Sequence, residues 1–347
     1  MIRKTIIIFL IFFSSSIITV KFARADAILF PWVVKSQSVS TIISVANTGG
    51  IGGTYEYQSI PFRLHYQYWY KLSTANSNTE TCTNHSFNQA TSKNDVVSFD
   101  AAGNITENNT LFQDSSPYNP GQSFGLVVNG PRRAFLIVDN NTDAFVLFGN
   151  TNTDGTLYGE AMLLELSGGA AWGYTAYNAR SEGVADSPAA QVYFNDGNDY
   201  EGEVIGPTEK GMMIILPPSM FITKFFVTPI SMTGQRTGDA NTRVQLVIDG
   251  DAGGIYDNDE NPMDFSEKTD VVCTSAMTLD GLITSGAYEF LKATGKQGFA
   301  YIKTDFGTVK QNSSAQAVIG KLEYAESTSE LTWINNFIWI KSSESIP

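Results

Sequence analysis

Five carboxylates lie within twelve residues of a segment rich in glycine and asparagine: Asp249, Asp251, Asp257, Asp259 and Glu260. Calcium takes about six to eight oxygen ligands, and a glycine-rich loop can fold carboxylates around one ion. The spacing differs from that of an EF-hand loop, which has a fixed glycine at its middle and a glutamate at its end. An acidic turn whose Asp, Asn and Gly residues set its geometry explains the same composition. We favour the solvated turn and keep a structural calcium site as the alternative.

Cys82 and His85 are three residues apart, a spacing that suggests a cysteine–histidine nucleophile pair. Such a pair needs a free thiol in a rigid cleft, whereas residues 73–94 are strongly polar. The other cysteine of the chain is Cys273, and two thiols in an oxidising compartment commonly pair. The sequence therefore predicts a disulfide between Cys82 and Cys273. Two unrelated buried cysteines are the alternative.

A short segment of alternating character contains four large aromatic residues, Tyr66, Tyr68, Trp69 and Tyr70. Planar rings exposed on one face of a sheet can stack on sugars, so this strand is a candidate glycan-binding surface. Tyrosine rings also pack inside sheets with their hydroxyl groups at the edge. We favour core packing and keep glycan stacking as the alternative.

Alternating apolar and polar residues, as in 41–47 and 62–71, recur along most of the chain and predict half-buried strands. The one helical pattern runs from Leu279 to Leu291, with Thr278 as the expected N-cap and Gly295 as the stop. These features predict an all-β fold with one short helix in its second half.

The two halves of the chain share a pattern of spaced residues. Gly159, Glu165 and Trp172 are spaced as Gly320, Glu326 and Trp333 are. Each half also opens with a strand after a proline and then contains one cysteine. The shared pattern predicts two tandem, duplicated β-sandwich domains of immunoglobulin-like (Ig-like) type. The polar, acidic segment 181–211 is the expected linker between domains 26–180 and 212–347.

The first 25 residues have the pattern of a secretory signal peptide. Arg3 and Lys4 precede the apolar segment 5–20, and Ala23-Arg24-Ala25 matches the small residues of a cleavage site before Asp26. The apolar segment is sixteen residues long and includes three serines, which is short for a bilayer span. The sequence thus predicts export to the periplasm, cell surface or extracellular space, with no membrane span after cleavage. An uncleaved anchor is the alternative.

The net charge narrows the classes of partner. Removing residues 1–25 leaves 18 basic against 35 acidic residues, a net charge of −17. Such a chain repels phosphate backbones, so nucleic acid is excluded as an expected partner. No phosphate-binding loop, dinucleotide fingerprint or nucleophile elbow occurs in the sequence, and apart from calcium no cofactor is predicted.

Three segments resemble parts of a group of exported bacterial β-rich proteins whose members are mostly uncharacterised. They are residues 27–34 followed by residues 40–47, residues 256–262, and Val271-Val272-Cys273. The resemblance implies a secreted β-rich protein and implies no activity.

The sequence as a whole favours an exported, non-catalytic protein of the envelope or extracellular space. Such a protein would bind other envelope proteins or assemble with itself. A carbohydrate-binding or carbohydrate-active secreted protein, with a glycan as its partner, is the alternative.

Overall fold

The computed structural model describes residues 27–48, 62–72, 77–91, 94–105, 112, 124–139, 157–166, 170–182, 191–193, 209–230, 243–248, 254–263, 267–305, 316–325, 333–336 and 339–342. Within these ranges the chain is built of antiparallel strands with one α-helix, so the predicted all-β class is confirmed. No helix in these ranges is both long and apolar enough to cross a bilayer.

The first half contributes ten of the described strands: β1 (Ala27–Lys35), β2 (Val39–Asn47), β3 (Phe62–Lys71), β4 (Cys82–Thr91), β5 (Asp95–Asp100), β6 (Arg132–Asp139), β7 (Leu157–Glu165), β8 (Ala170–Thr175), β9 (Tyr177–Glu182) and β10 (Gln191–Tyr193). They form a six-stranded sheet in the order β10-β9-β1-β6-β3-β4 and a four-stranded sheet in the order β5-β2-β7-β8. Alternate residues of both sheets, such as Phe30 and Ile43, meet in one apolar core, which makes this half a β-sandwich.

The second half contains β11 (Glu209–Ile215), β12 (Phe221–Ile230), β13 (Arg243–Ile248), β14 (Ile255–Asp257), β15 (Pro262–Met263), β16 (Glu267–Val272), β17 (Ser275–Thr278), α1 (Ser285–Thr294), β18 (Gly298–Asp305), β19 (Gln316–Ala325), β20 (Trp333–Asn336) and β21 (Trp339–Ser342). The larger sheet runs β16-β13-β18-β11-β21, with the β14–β15 hairpin also on β18. The smaller sheet runs β17-β12-β19-β20. Their facing residues form the second sandwich core.

The two sandwiches have the same strand order. Matching β1–β9 in turn with β11, β12, β13 and β16–β21 reproduces both sheets, and the β14–β15 hairpin and β10 are the additions. This agreement supports the predicted tandem relationship at the level of strand order. The immunoglobulin-like type stays a prediction.

The residues that first suggested a repeat are not equivalent in orientation. Gly159 faces its own core, where a Cβ atom would overlap the Phe30 ring. Gly320 faces the opposite way, where a Cβ atom would lie within 3.0 Å of three ring atoms of Trp32. Both glycines permit a close approach by an aromatic ring, but they do so on opposite faces of matched strands. Strand order therefore supports the relationship better than these glycines do.

The helix begins later than the sequence predicts. Thr278 ends strand β17, and Leu279–Gly281 form a single 3-10 turn. The N-cap is Thr284, whose side-chain oxygen accepts a hydrogen bond from the backbone N–H of Ala287 at 3.4 Å. Gly295 ends the helix with a φ of 64°, as predicted. Both the 3-10 turn and the helix bury apolar residues, so the apolar spacing runs through both and does not mark where the helix begins.

Candidate functional site

The predicted disulfide between Cys82 and Cys273 is present and joins the two sandwiches. Cys82 begins β4, and Cys273 follows β16 with a φ of 64°; their Cα atoms are 5.9 Å apart. Both residues are buried. The bridge spans 191 residues, and closing so long a loop stabilises a fold by up to about 5 kcal/mol in the chain-entropy model. Because Cys82 is oxidised, the cysteine–histidine nucleophile pair does not form.

An apolar interface continues from the disulfide between the two sandwiches. We call it the interdomain interface. It joins the outer face of the first larger sheet, together with Leu163 and Trp172 of the first smaller sheet, to the outer face of the second smaller sheet. Its other members include Ala27, Leu29, Trp32, Phe135, Ile137, Phe226, Ile230, Val318 and Leu322. Trp32 lies at its centre, 5.2 Å from the Trp172 ring centroid and 6.1 Å from that of Phe226. Four sheets are thus stacked in one body.

Polar contacts also cross the interdomain interface. The Thr228 hydroxyl donates to the carbonyl oxygen of Pro31 at 2.7 Å, and the Arg133 guanidinium donates to that of Ala276 at 3.0 Å. The backbone N–H of Val272 donates to the carbonyl oxygen of Asn78 at 2.8 Å, beside the disulfide. Covalent, apolar and hydrogen-bonded contacts therefore hold the two sandwiches in one arrangement.

Lys71 is a buried cation at the edge of the interdomain interface. It pairs with Cys82 across β3 and β4, and its ammonium group donates to the carbonyl oxygen of Ser77. Burial lowers the pKa of Lys71 to about 8, against the opposing attraction of Glu80. A pKa lowered by folding means that the folded state releases this proton before the unfolded state does.

We expect this lysine to make stability rise with pH. Between about pH 8 and the pKa of a free lysine, about 10.4, the unfolded chain binds more protons than the folded chain. The free energy of unfolding should therefore increase in this window, by up to about 1.4 kcal/mol per pH unit. Urea unfolding of wild type and Lys71→Met at several pH values measures the effect. A difference between the two that stays constant from pH 7 to pH 10 would contradict it.

The acidic segment forms a hairpin turn closed by a lysine. One Asp257 carboxylate oxygen accepts hydrogen bonds from the backbone N–H groups of Asp259 and Asn261, both at 2.9 Å. Lys296 lies between two carboxylates, with its Nζ 2.9 Å from Asp257 Oδ2 and 2.5 Å from Asp259 Oδ2. Hydrogen bonds from the Asn261 side chain and then from Lys296 hold the pKa of Asp257 below its usual range.

The described part of the segment is a turn in which Asp257 is buried and Asp259 is exposed. Glu260 is exposed and has a φ of 64°, a turn conformation, while Asp249 and Asp251 lie outside the described residues. In the part of the chain that the structure describes, no group of three or more His, Cys, Asp or Glu side chains is placed to hold a metal ion. The structural calcium site stays a prediction.

Calcium is expected to leave the melting temperature unchanged, because the Lys296 ammonium group already bridges the carboxylates of Asp257 and Asp259. Thermal unfolding with a chelator and with millimolar calcium measures this directly. A rise in melting temperature that Asp257→Ala with Asp259→Ala abolishes would instead establish the calcium site. Substituting Lys296→Met provides the matched control, since it removes the competing cation and leaves both carboxylates.

The four candidate aromatic residues face two different parts of the molecule. Tyr66 and Tyr68 are buried in the first core, where the Tyr68 hydroxyl donates to the carbonyl oxygen of Phe124 at 2.9 Å. Burial raises the pKa of both hydroxyl groups. Tyr70 packs against the same core, whereas Trp69 points to the interdomain interface and stacks on Phe135. The rings match the core-packing interpretation and do not form a common exposed surface for a glycan.

A buried ion pair in the second sandwich has no counterpart among the sequence predictions. Lys321 and Glu323 lie on β19 with side chains fully removed from solvent, and Lys321 Nζ is 3.1 Å from Glu323 Oε2. The lysine also donates to the carbonyl oxygen of Ile214. Burial lowers the pKa of Lys321, while Glu323 opposes the shift. Every second residue of β19 from Ala317 to Glu323 faces the core. Two charged residues at such positions were the sequence signal that could have indicated a buried ion pair.

Comparisons with known proteins add nothing to these observations. No protein-family model, curated protein or solved structure matches this chain. The likeness of three of its segments to exported bacterial proteins remains an expectation.

Proposed function

We propose that this chain is an exported, non-catalytic module of the cell envelope or extracellular space, where it builds or supports a surface structure. The observation that carries the proposal is the interdomain interface with its disulfide. Domains of one chain move relative to each other by default unless their interface is large and hydrophobic. Here aromatic rings fill the interface and the Cys82–Cys273 bridge closes it. Such a joint suits a part that must hold its shape.

The chemistry of the joint also agrees with export. Disulfides form and persist in oxidising compartments and are rare where thioredoxin and glutathione keep thiols reduced. A protein whose two halves are held by one buried disulfide gains from folding outside the cytoplasm. The predicted signal peptide would deliver the chain there.

Export and cleavage can be tested together in a bacterial host that produces the whole chain. We expect the N-terminal sequence of the fractionated protein to begin at Asp26, and thiol titration of the denatured, unreduced protein to find no free thiol. Ala25→Glu is the matched control, because it removes a small residue from the cleavage site. That variant should retain Met1. A wild-type chain that stays in the cytoplasm with Met1 and two free thiols would overturn the proposal.

A protein with a structural role in the envelope is expected to contact other molecules there. Chemical crosslinking of intact cells should convert part of the exported protein into larger species. Export of a chain that remains a monomer, with no crosslinked partner, would contradict a structural or binding role while leaving the location intact.

A further inference from the structure

Among the residues that the structure describes, stacking of the two sandwiches leaves one face of each kind uncovered. The interdomain interface uses the outer face of the first larger sheet and the outer face of the second smaller sheet. The outer face of the first smaller sheet and that of the second larger sheet are left at opposite ends of the stack. The two ends of the stack therefore present the same two kinds of sheet face that pack together at its centre.

The small-sheet face is the outer face of β5-β2-β7-β8, defined by Ile42, Ala46, Val96, Tyr158 and Met162. Ala46 pairs with both Val96 and Tyr158, and Ile42 pairs with Met162; the polar row of Ser98, Ser44 and Glu160 lies between these two apolar rows. Val96 is 58% exposed, Met162 39% and Tyr158 38%. Glu160 is the one exposed charged residue among the outward positions described on these strands. Exposed apolar side chains on a weakly charged face are a feature of interaction surfaces.

The large-sheet face is the outer face of β11 and β18 with β14, defined by Met212, Ile214, Tyr256, Phe299 and Tyr301. Ile214 is 58% exposed and pairs with Phe299, which in turn pairs with Tyr256. Met212 pairs with Tyr301, whose ring meets the Phe299 ring edge-on at 4.9 Å. This face is apolar and aromatic at its centre.

Charges around the large-sheet face differ in sign from the chain as a whole. The outward positions of the same sheet include the basic residues Lys210, Arg243, Lys268 and Lys303 and the acidic residues Asp270 and Asp305. Basic residues thus predominate here in a chain with an acidic excess. The small-sheet face carries only Glu160 as an exposed charge, so the two faces attract rather than repel.

The strand match makes the interdomain interface a template for contact between these faces. Strands β1 and β6 supply the large-sheet side of that interface, and β11 and β18 are their counterparts. Phe135 on β6 is buried there, and Phe299 occupies the outer face of the matched strand β18. Strands β12 and β19 supply the other side, and β2 and β7 are their counterparts.

We propose that copies of this chain stack head to tail, with the small-sheet face of one copy on the large-sheet face of the next. The contact repeats between copies the arrangement that already joins the two sandwiches within a copy. It uses two different faces at opposite ends of the stack, a heterologous arrangement that produces a linear polymer. The inference depends on the proposed structural function and names the partner as a second copy of the chain.

Two charge substitutions separate this arrangement from other modes of association. Met162→Glu places a carboxylate on the small-sheet face, and Ile214→Glu places one on the large-sheet face. Each should weaken association by about a hundredfold, because an unpaired charge would be buried at the contact. Sedimentation velocity and electron microscopy of the chain from Asp26 should show polymers that lengthen with concentration for wild type, and monomers for either variant.

Mixing the two variants gives the sharpest outcome. Each variant keeps one intact face, and the intact faces are complementary, so an equimolar mixture should form dimers of one copy of each. Leu72→Glu is the matched control, since Leu72 is 64% exposed but lies on neither face, and it should polymerise as wild type does. Unchanged melting temperatures show that the variants are folded.

Three results would overturn the stacking proposal: a wild-type chain that stays monomeric at high concentration, polymers that survive either substitution, or a mixture that stays monomeric. A monomeric wild-type chain that is exported and crosslinks to another envelope component would overturn stacking and leave the proposed function standing. A chain that polymerises in solution but stays in the cytoplasm would support stacking and overturn the proposed function.

Discussion

Glu323→Ala is expected to lower the free energy of unfolding by about 3–5 kcal/mol, because it leaves the Lys321 ammonium group buried without its counter-charge. The substitution also removes the acceptor for two groups near the β11–β12 turn. Glu323 Oε1 accepts from the Thr223 hydroxyl at 2.9 Å and from the backbone N–H of Leu216 at 3.0 Å. Urea unfolding at pH 7 measures the loss.

The companion variants test whether the uncompensated charge is the cause. The double variant Lys321→Met with Glu323→Leu removes both charges at similar volume and should recover much of the lost stability. The deficit of Glu323→Ala should also shrink as pH rises, because a lysine whose folded pKa is lowered becomes neutral first in the folded state. A double variant no more stable than Glu323→Ala would show that the hydrogen bonds, not the charge, dominate.

Trp32→Ala is expected to lower the free energy of unfolding by about 3–5 kcal/mol, since it removes an indole ring from the centre of the interdomain interface. Trp32 contacts Trp172 and Phe226, and its backbone carbonyl accepts a hydrogen bond from the Tyr174 hydroxyl at 2.7 Å. The disulfide should keep the halves tethered, so the loss should appear as a lower unfolding midpoint together with a weaker near-ultraviolet circular dichroism signal from the stacked rings.

A double-mutant cycle with Gly320 separates ring packing from general damage. Gly320→Ala should cost about 1–3 kcal/mol in wild type, because the new methyl group would overlap the Trp32 ring. In the Trp32→Ala background the same substitution should cost almost nothing. Equal costs in both backgrounds would mean that Gly320 is needed for its backbone rather than for the space it leaves.

Local patterns predicted the parts of this fold that depend on near neighbours. Alternation of side chains gave the strands, and Gly295 gave the end of the helix, because both depend on backbone geometry over a few residues. The cysteine count gave the Cys82–Cys273 bridge, because two thiols allow one pairing. The sequence did not reveal the direction in which a matched residue points, as Gly159 and Gly320 show.

Contacts between distant segments escaped prediction for a related reason. Lys296 bridges Asp257 and Asp259 from the far side of a helix and a turn, and no local pattern marks that pairing. The ion pair of Lys321 and Glu323 lies in a strand whose polar residues would ordinarily face solvent. The interdomain interface is formed by the outer faces of two sheets. The pattern of a single strand can indicate that such a face is buried, but it does not indicate which other sheet buries it.

The position of β1 has a consequence for the order in which the chain can fold. This strand begins one residue after the predicted cleavage site, yet it lies inside a sheet between β6 and β9 and is buried by the interdomain interface as well. Its hydrogen-bonding partners are residues 132–139 and 177–179. If the chain is exported as proposed, its first segment must wait, unpaired, until residues 132–139 have followed, and pairing so distant in sequence is slow. If export takes place as proposed, a precursor that cannot complete its first sheet early would stay extended enough to be threaded through a narrow channel.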